Sequence, residues 1–142
     1  MPDANLELVE RFYRAFNQRD GEAMAACYAP DIRFSDPVFP DLRGARAGSM
    51  WRMLTGSSKD LRVELLEHEA DEVRGSARWR ASYTFTQSGR PVVNDVRAAF
   101  RFEGGRIVEH RDSFDFYRWA RQALGTSGLL LGWTPFLRNK VR

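Results

Sequence analysis

The sequence predicts an α+β fold: helices come first, a curved antiparallel sheet follows and packs against them, and a helical tail closes the chain. Three observations carry this. Apolar residues recur at helical spacing through the first third of the chain. After Lys59 they change to strict alternation, and the alternating segments are joined by turns too short to hold crossover helices.

Residues 4–18 (ANLELVERFYRAFNQ) place Leu6, Val9, Phe12, Tyr13 and Phe16 on one helical face, and Asp20-Gly21 breaks that helix. A second short helix is predicted from Gly21 to Tyr28, with Met24, Cys27 and Tyr28 turned inward. Pro30-Asp31 ends it and leads into a strand from Ile32 to Ser35. Asp36-Pro37 and Pro40 mark a loop, because proline restricts its own φ and the residue before it. Residues 44–56 (GARAGSMWRMLTG) suggest a third helix that packs through Met50, Trp51 and Leu54.

Residues 61–69 then alternate through Leu61, Val63 and Leu65, and Val73 to Thr86 alternate through Ala77, Trp79, Ala81, Tyr83 and Phe85. After a turn at Ser88-Gly89-Arg90, residues 92–102 repeat the pattern through Val92, Asn94, Val96, Ala98, Phe100 and Phe102. Gly104-Gly105 reads as a hairpin turn, and Ile107 to Phe116 as the last strand. Strands in this order make an antiparallel meander. Residues 117–124 look helical, and Gly125-Thr126-Ser127-Gly128 interrupts the chain. Leu129 to Trp133 is strongly apolar, and Thr134-Pro135 suits the start of a final helix. The predicted organisation is one domain over 1–116 and a helical extension over 117–142, which either plugs the open end of the sheet or packs against another subunit.

Composition narrows the function classes. A chain of 142 residues has the size of a single domain and buries enough surface for a core without cross-links. One cysteine, Cys27, excludes an internal disulfide scaffold. No apolar run approaches the ~20 residues of a membrane span, and Met1-Pro2-Asp3 lacks the basic start of a secretory leader, so a soluble cytoplasmic protein is the simplest expectation. The net charge of +3 hides a near balance of 22 Lys+Arg against 19 Asp+Glu, with arginines and acids interleaved. That is not the single-sign stripe of a nucleic-acid footprint. Ten Phe, four Trp and four Tyr are generous and serve either a core or a cavity lining.

Several segments together resemble a known superfamily: the Asn17 to Asp20 turn, Tyr28-Ala29-Pro30-Asp31, the Phe34-Ser35-Asp36-Pro37 loop, and the hairpin Gly104-Gly105-Arg106-Ile107-Val108-Glu109. In this order they are similar to the nuclear-transport-factor-2-like fold, and more narrowly to its SnoaL-like and steroid Δ-isomerase branch, over about residues 4–116. The resemblance implies a cone of curved sheet and three helices, an apolar pocket and a homodimer. It also implies cofactor-independent chemistry such as isomerisation, cyclisation or dehydration.

Asp36 is the first catalytic candidate. The resemblance places it where the isomerases carry a general base after the first strand, and Phe34, Val38 and Phe39 offer apolar walls. The competing reading is an aspartate that caps a turn before proline. The isomerases' oxyanion donors fall here on Phe12 and Ala98, which donate nothing; such a loss typically costs about 2.7–4 kcal/mol per donor. Tyr13, beside Phe12, points about 100° away on the helix and is counted among the pocket residues.

His110 and Asp112 are two apart on a strand, so both face one side, as a base–orienter pair or as an ordinary polar pair. In limonene-epoxide-hydrolase-like relatives an aspartate near Asp112 pairs with an arginine and a second aspartate. Here Trp79 and Ala81 take the inner face while Arg78 and Arg80 point away, unless a register slip exchanges them. Trp51, Trp79, Tyr83, Asn94 and Phe100 complete the expected pocket. No metal site is expected from His68 and His110, no cofactor is implied, and neither Ser49 nor Ser113 sits in a nucleophile elbow. The reading is acid/base proton transfer on a small apolar carbonyl or polycyclic molecule. The alternative is a ligand-binding or dimerisation module without turnover.

Overall fold

The structure, a computed structural model, describes residues 2–128. Three helices lead: α1 (Pro2–Asn17), α2 (Gly21–Ala26) and, after β1 (Tyr28–Ser35) and β2 (Leu42–Arg43), α3 (Ala45–Ser57). Four long strands follow, β3 (Arg62–Ala70), β4 (Arg74–Phe85), β5 (Arg90–Glu103) and β6 (Arg106–Ser113), and then α4 (Phe116–Gly128). The strands form one curved sheet in the order β2-β1-β6-β5-β4-β3. The apolar run at Leu129 to Trp133 and the helix expected at Thr134-Pro135 lie outside the described residues.

The β3-to-β6 meander is antiparallel as its alternation implies, with Trp79 opposite Val96 and Ala98 opposite Asp112. One pairing departs from that pattern: β1 joins β6 in parallel. This contact closes the sheet across about half the chain, and hydrophobic alternation, which records local faces, carries no trace of it. Strand β2 is too short for alternation to register.

Strand β1 also starts earlier than predicted, at Tyr28 rather than Ile32, and α2 ends at Ala26. Between Tyr28 and Arg33 its register against β6 shifts, so Pro30 sits in an irregular stretch where its missing N–H interrupts no regular ladder. Tyr28 is therefore the first residue of a strand, not the last of a helix. That change matters at the site.

Period-two patterning puts Ala77, Trp79, Ala81, Val96, Phe100, His110 and Asp112 on the inner face, all buried under α1 and α3. The arginines take the outer face, where Arg80 meets Asp95 at 2.7 Å and Arg101 meets both Glu103 (3.0 Å) and Glu109 (3.2 Å). Helix α1 is pinned at both ends: Asn5 Nδ2 donates to Asp71 O (2.9 Å), and Val63 N–H donates to Asn17 Oδ1 (2.8 Å). Gly21 lets α2 press on α3, since a Cβ there would lie 2.8 Å from Thr55 Oγ1 and 2.9 Å from Arg52 Cα. No helix of the described residues is long and apolar enough to cross a membrane.

Candidate functional site

Between α1, α3, the loop after β1, the inner face of β4–β6 and α4 lies a cavity of about 90 Å³. Its apolar wall includes Phe16, Val38, Phe39, Trp51, Trp79, Phe114 and Trp119, and its polar groups come from Asp36, Ser58, Tyr83, Asn94 and Asp112. A mostly apolar lining with a few converging polar side chains is the usual make-up of a small-molecule site. The volume is below the roughly 150 Å³ of an engineered apolar cavity that takes benzene.

Asp112 ends a buried hydrogen-bond chain. Trp51 Nε1–H donates to Tyr28 Oη at 2.8 Å, Tyr28 Oη lies 2.7 Å from His110 Nδ1, and His110 Nε2 lies 2.8 Å from Asp112 Oδ1. The side chains of His110 and Asp112 are 0% and 3% exposed. The donor inventory is met when Tyr28, its oxygen accepting from Trp51, gives its one proton to Nδ1 and the imidazole donates from Nε2 to Asp112. Rings crowd the imidazole, with Phe100 at 4.5 Å, Phe34 at 5.0 Å and Phe12 at 5.5 Å between centroids, so it has one orientation. Burial holds the Tyr28 hydroxyl well above the ordinary tyrosine pKa, a shift that the Trp51 hydrogen bond reduces and the Asp112 charge increases.

Asp36 is half-buried and lines the same cavity. Its Oδ1 accepts from Val38 N–H (2.7 Å) and Phe39 N–H (2.6 Å), while its own N–H donates to Phe39 O (2.9 Å). The aspartate thus caps its turn and also faces the cavity; the two sequence readings describe one residue. Across from it, Tyr83 Oη accepts from Trp119 Nε1–H at 2.7 Å. Burial first, and then the Asp36 charge, push the Tyr83 hydroxyl up to about 12 against the pull of the Trp119 hydrogen bond. It is a neutral donor at any physiological pH.

The structure brings Asp36, Asp112, Trp51, Trp79, Tyr83 and Asn94 to one cavity. Three expected pocket residues do not line it. His110 is sealed behind Asp112, and Phe100 packs on His110, because the inner face of β5 and β6 at that level is covered by α1. Tyr13 is buried among Phe16, Trp79 and Phe100, its hydroxyl without a partner among the described residues and held well above the usual tyrosine pKa by burial and by Asp112. Arg78 and Arg80 stay on the outer face, where they pair with Glu67 and Asp95, and among the described residues no arginine lines the cavity. Among the described residues no group of His, Cys, Asp or Glu could hold a metal ion.

Tyr28 and Trp119 are among the residues that escaped the sequence reading, as are Ser58 and Phe114. Tyr28 was hidden by its assignment to a helix. Trp119 was hidden because its element, α4, reaches the cavity only through tertiary packing: Gln122 hydrogen-bonds both backbone groups of Val93 (2.8 and 3.1 Å) and lays α4 on β5.

No curated protein matches the chain in sequence. Solved structures do share its fold. TsrD from Streptomyces laurentii is 22% identical with a TM-score of 0.75, over 88% of this chain and 98% of that one. An LEH-like epoxide hydrolase of M. tuberculosis is 23% identical with a TM-score of 0.73, over 94% and 98%. An NTF2-like protein of unknown function from Burkholderia pseudomallei is 23% identical with a TM-score of 0.73, over 85% and 98%. At these identities the likeness is one of fold. Residues 9–110 match the SnoaL-like domain family, and the chain belongs to that family, within the NTF2-like superfamily.

Proposed function

We propose that this protein catalyses proton transfer next to a carbonyl on a small apolar molecule held in the cavity. The observation that carries the reading is the Trp51–Tyr28–His110–Asp112 chain, which ends at a carboxylate in the cavity wall. Asp112 takes or returns the proton, and His110 positions it. In this reading Tyr83 Oη–H and the Asn94 amide hydrogen-bond the carbonyl oxygen, where charge develops in the transition state. They stand in for donors absent at Phe12 and Ala98, both buried and apolar. Isomerisation, cyclisation and dehydration share this step. The cavity's size, below that of a cavity that takes benzene, favours short-chain carbonyl substrates over polycyclic ones.

A second reading, binding without turnover, draws support from Asp36, whose Oδ1 is already engaged by two backbone N–H groups. One experiment separates the two. Short-chain ketones and β,γ-enones are incubated with the protein in D₂O, and NMR follows exchange of the protons next to the carbonyl. Asp112→Asn is expected to slow exchange by about 10²–10⁴-fold, the usual worth of a positioned acid/base group, while ligand binding persists. Exchange by the variant at the native rate removes Asp112 from the mechanism. Binding by the native protein with no exchange above buffer leaves the binding reading.

A further inference from the structure

The lining of the cavity includes two hydrogen-bonded side chains, Trp119 of α4 and Tyr83 of β4. A second chamber of about 80 Å³ adjoins it, with Met53, Phe85, Thr86 and Gln87 among its lining. Leu54, Ser58, Tyr83 and Trp119 line both chambers. These four residues border two voids of nearly equal size, and the Trp119 indole is the largest divider among them. The divider is fixed. The Trp119 ring packs edge-on against Phe85 (5.5 Å), and α4 is tied down by Gln122 on Val93 and by Arg90 Nε–H on Gln122 O (2.8 Å).

We infer that Trp119 sets the length of ligand the site accepts. With the indole in place, the inner chamber takes a short-chain ketone. Without it, the two chambers join and accept a six-membered-ring ketone that extends toward Met53 and Phe85. The inference rests on the reading of the inner cavity as a ligand site, but it concerns binding and not turnover.

The test uses two probes, 2-butanone and 2-cyclohexenone, with affinities measured on the full chain by ¹⁵N–¹H NMR titration. The native protein is expected to prefer 2-butanone. In Trp119→Ala the affinity for 2-cyclohexenone relative to that for 2-butanone should rise at least about tenfold, the effect of burying the added ring carbons. Trp119→Leu keeps an apolar anchor on α4, so it decides the matter if the alanine variant does not fold; the same change is expected at smaller amplitude. If 2-butanone binds the native chain but the preference is unmoved in the folded variant, the divider inference is overturned and the inner-cavity reading survives. If neither ketone binds any of these proteins, the inner-cavity reading falls, and this inference falls with it.

Discussion

At the scale of single residues, Tyr28 is the joint of the site. Its hydroxyl is the acceptor for Trp51 and the donor to His110, so Tyr28→Phe removes one oxygen and strands two buried polar atoms. Each stranded group typically costs about 1–3 kcal/mol, and the variant should lose about 2–4 kcal/mol of stability in urea denaturation. A loss below about 0.5 kcal/mol would mean that the two atoms find other partners. Residue chemistry also explains why Asp36 invited two readings in the sequence. Asp-Pro after a strand is a turn signal and a family landmark at once, and here one carboxylate has an oxygen on the turn while the side chain lines the cavity.

At the scale of elements, α4 adds a wall to the site on the sheet's inner face. Gln122 acts on Val93 as a neighbouring strand would, receiving its N–H and donating to its C=O. Gln122→Ala should free the Val93 amide and let α4 open locally. The expected result is faster hydrogen exchange at Val93 with a global stability loss of only about 1 kcal/mol, the worth of one or two partly exposed hydrogen bonds. Unchanged protection at Val93 would show that other contacts hold the helix. The long strands were legible because alternation runs unbroken through Trp79, Ala81, Tyr83, Asn94 and Val96. Strand β1 was not, because Pro30 broke the pattern at the irregularity that re-registers it on β6.

At the scale of the whole molecule, burial of tyrosine gives an alkaline limit. Tyr13, Tyr28 and Tyr83 all have hydroxyls held above the ordinary value near 10, with Tyr83 at about 12. Above pH ~10 the unfolded chain releases these protons and the folded chain keeps them, so the folded state binds more protons and stability falls as pH rises. Below that range the three groups contribute no pH dependence. Urea denaturation should show a plateau up to pH ~10 and a decline toward 12, to which Tyr83 adds on the order of 2–3 kcal/mol. A flat profile across that window would contradict the buried, protonated assignment. By itself the sequence determined the α+β class, the inner and outer faces of β3 to β6, the likeness to SnoaL-like domains, and the pairing of His110 with Asp112. The class and the faces follow from periodicity, the pair from residues two apart, and the likeness from the order of short motifs along the chain. Only the tertiary structure decided that β1 closes the sheet in parallel and that Tyr28 completes the chain behind Asp112. It alone sealed His110 and Phe100 from the cavity and made Trp119 part of its lining. Those contacts join residues 23 to 82 positions apart, and a pattern of local faces holds no record of which distant faces meet.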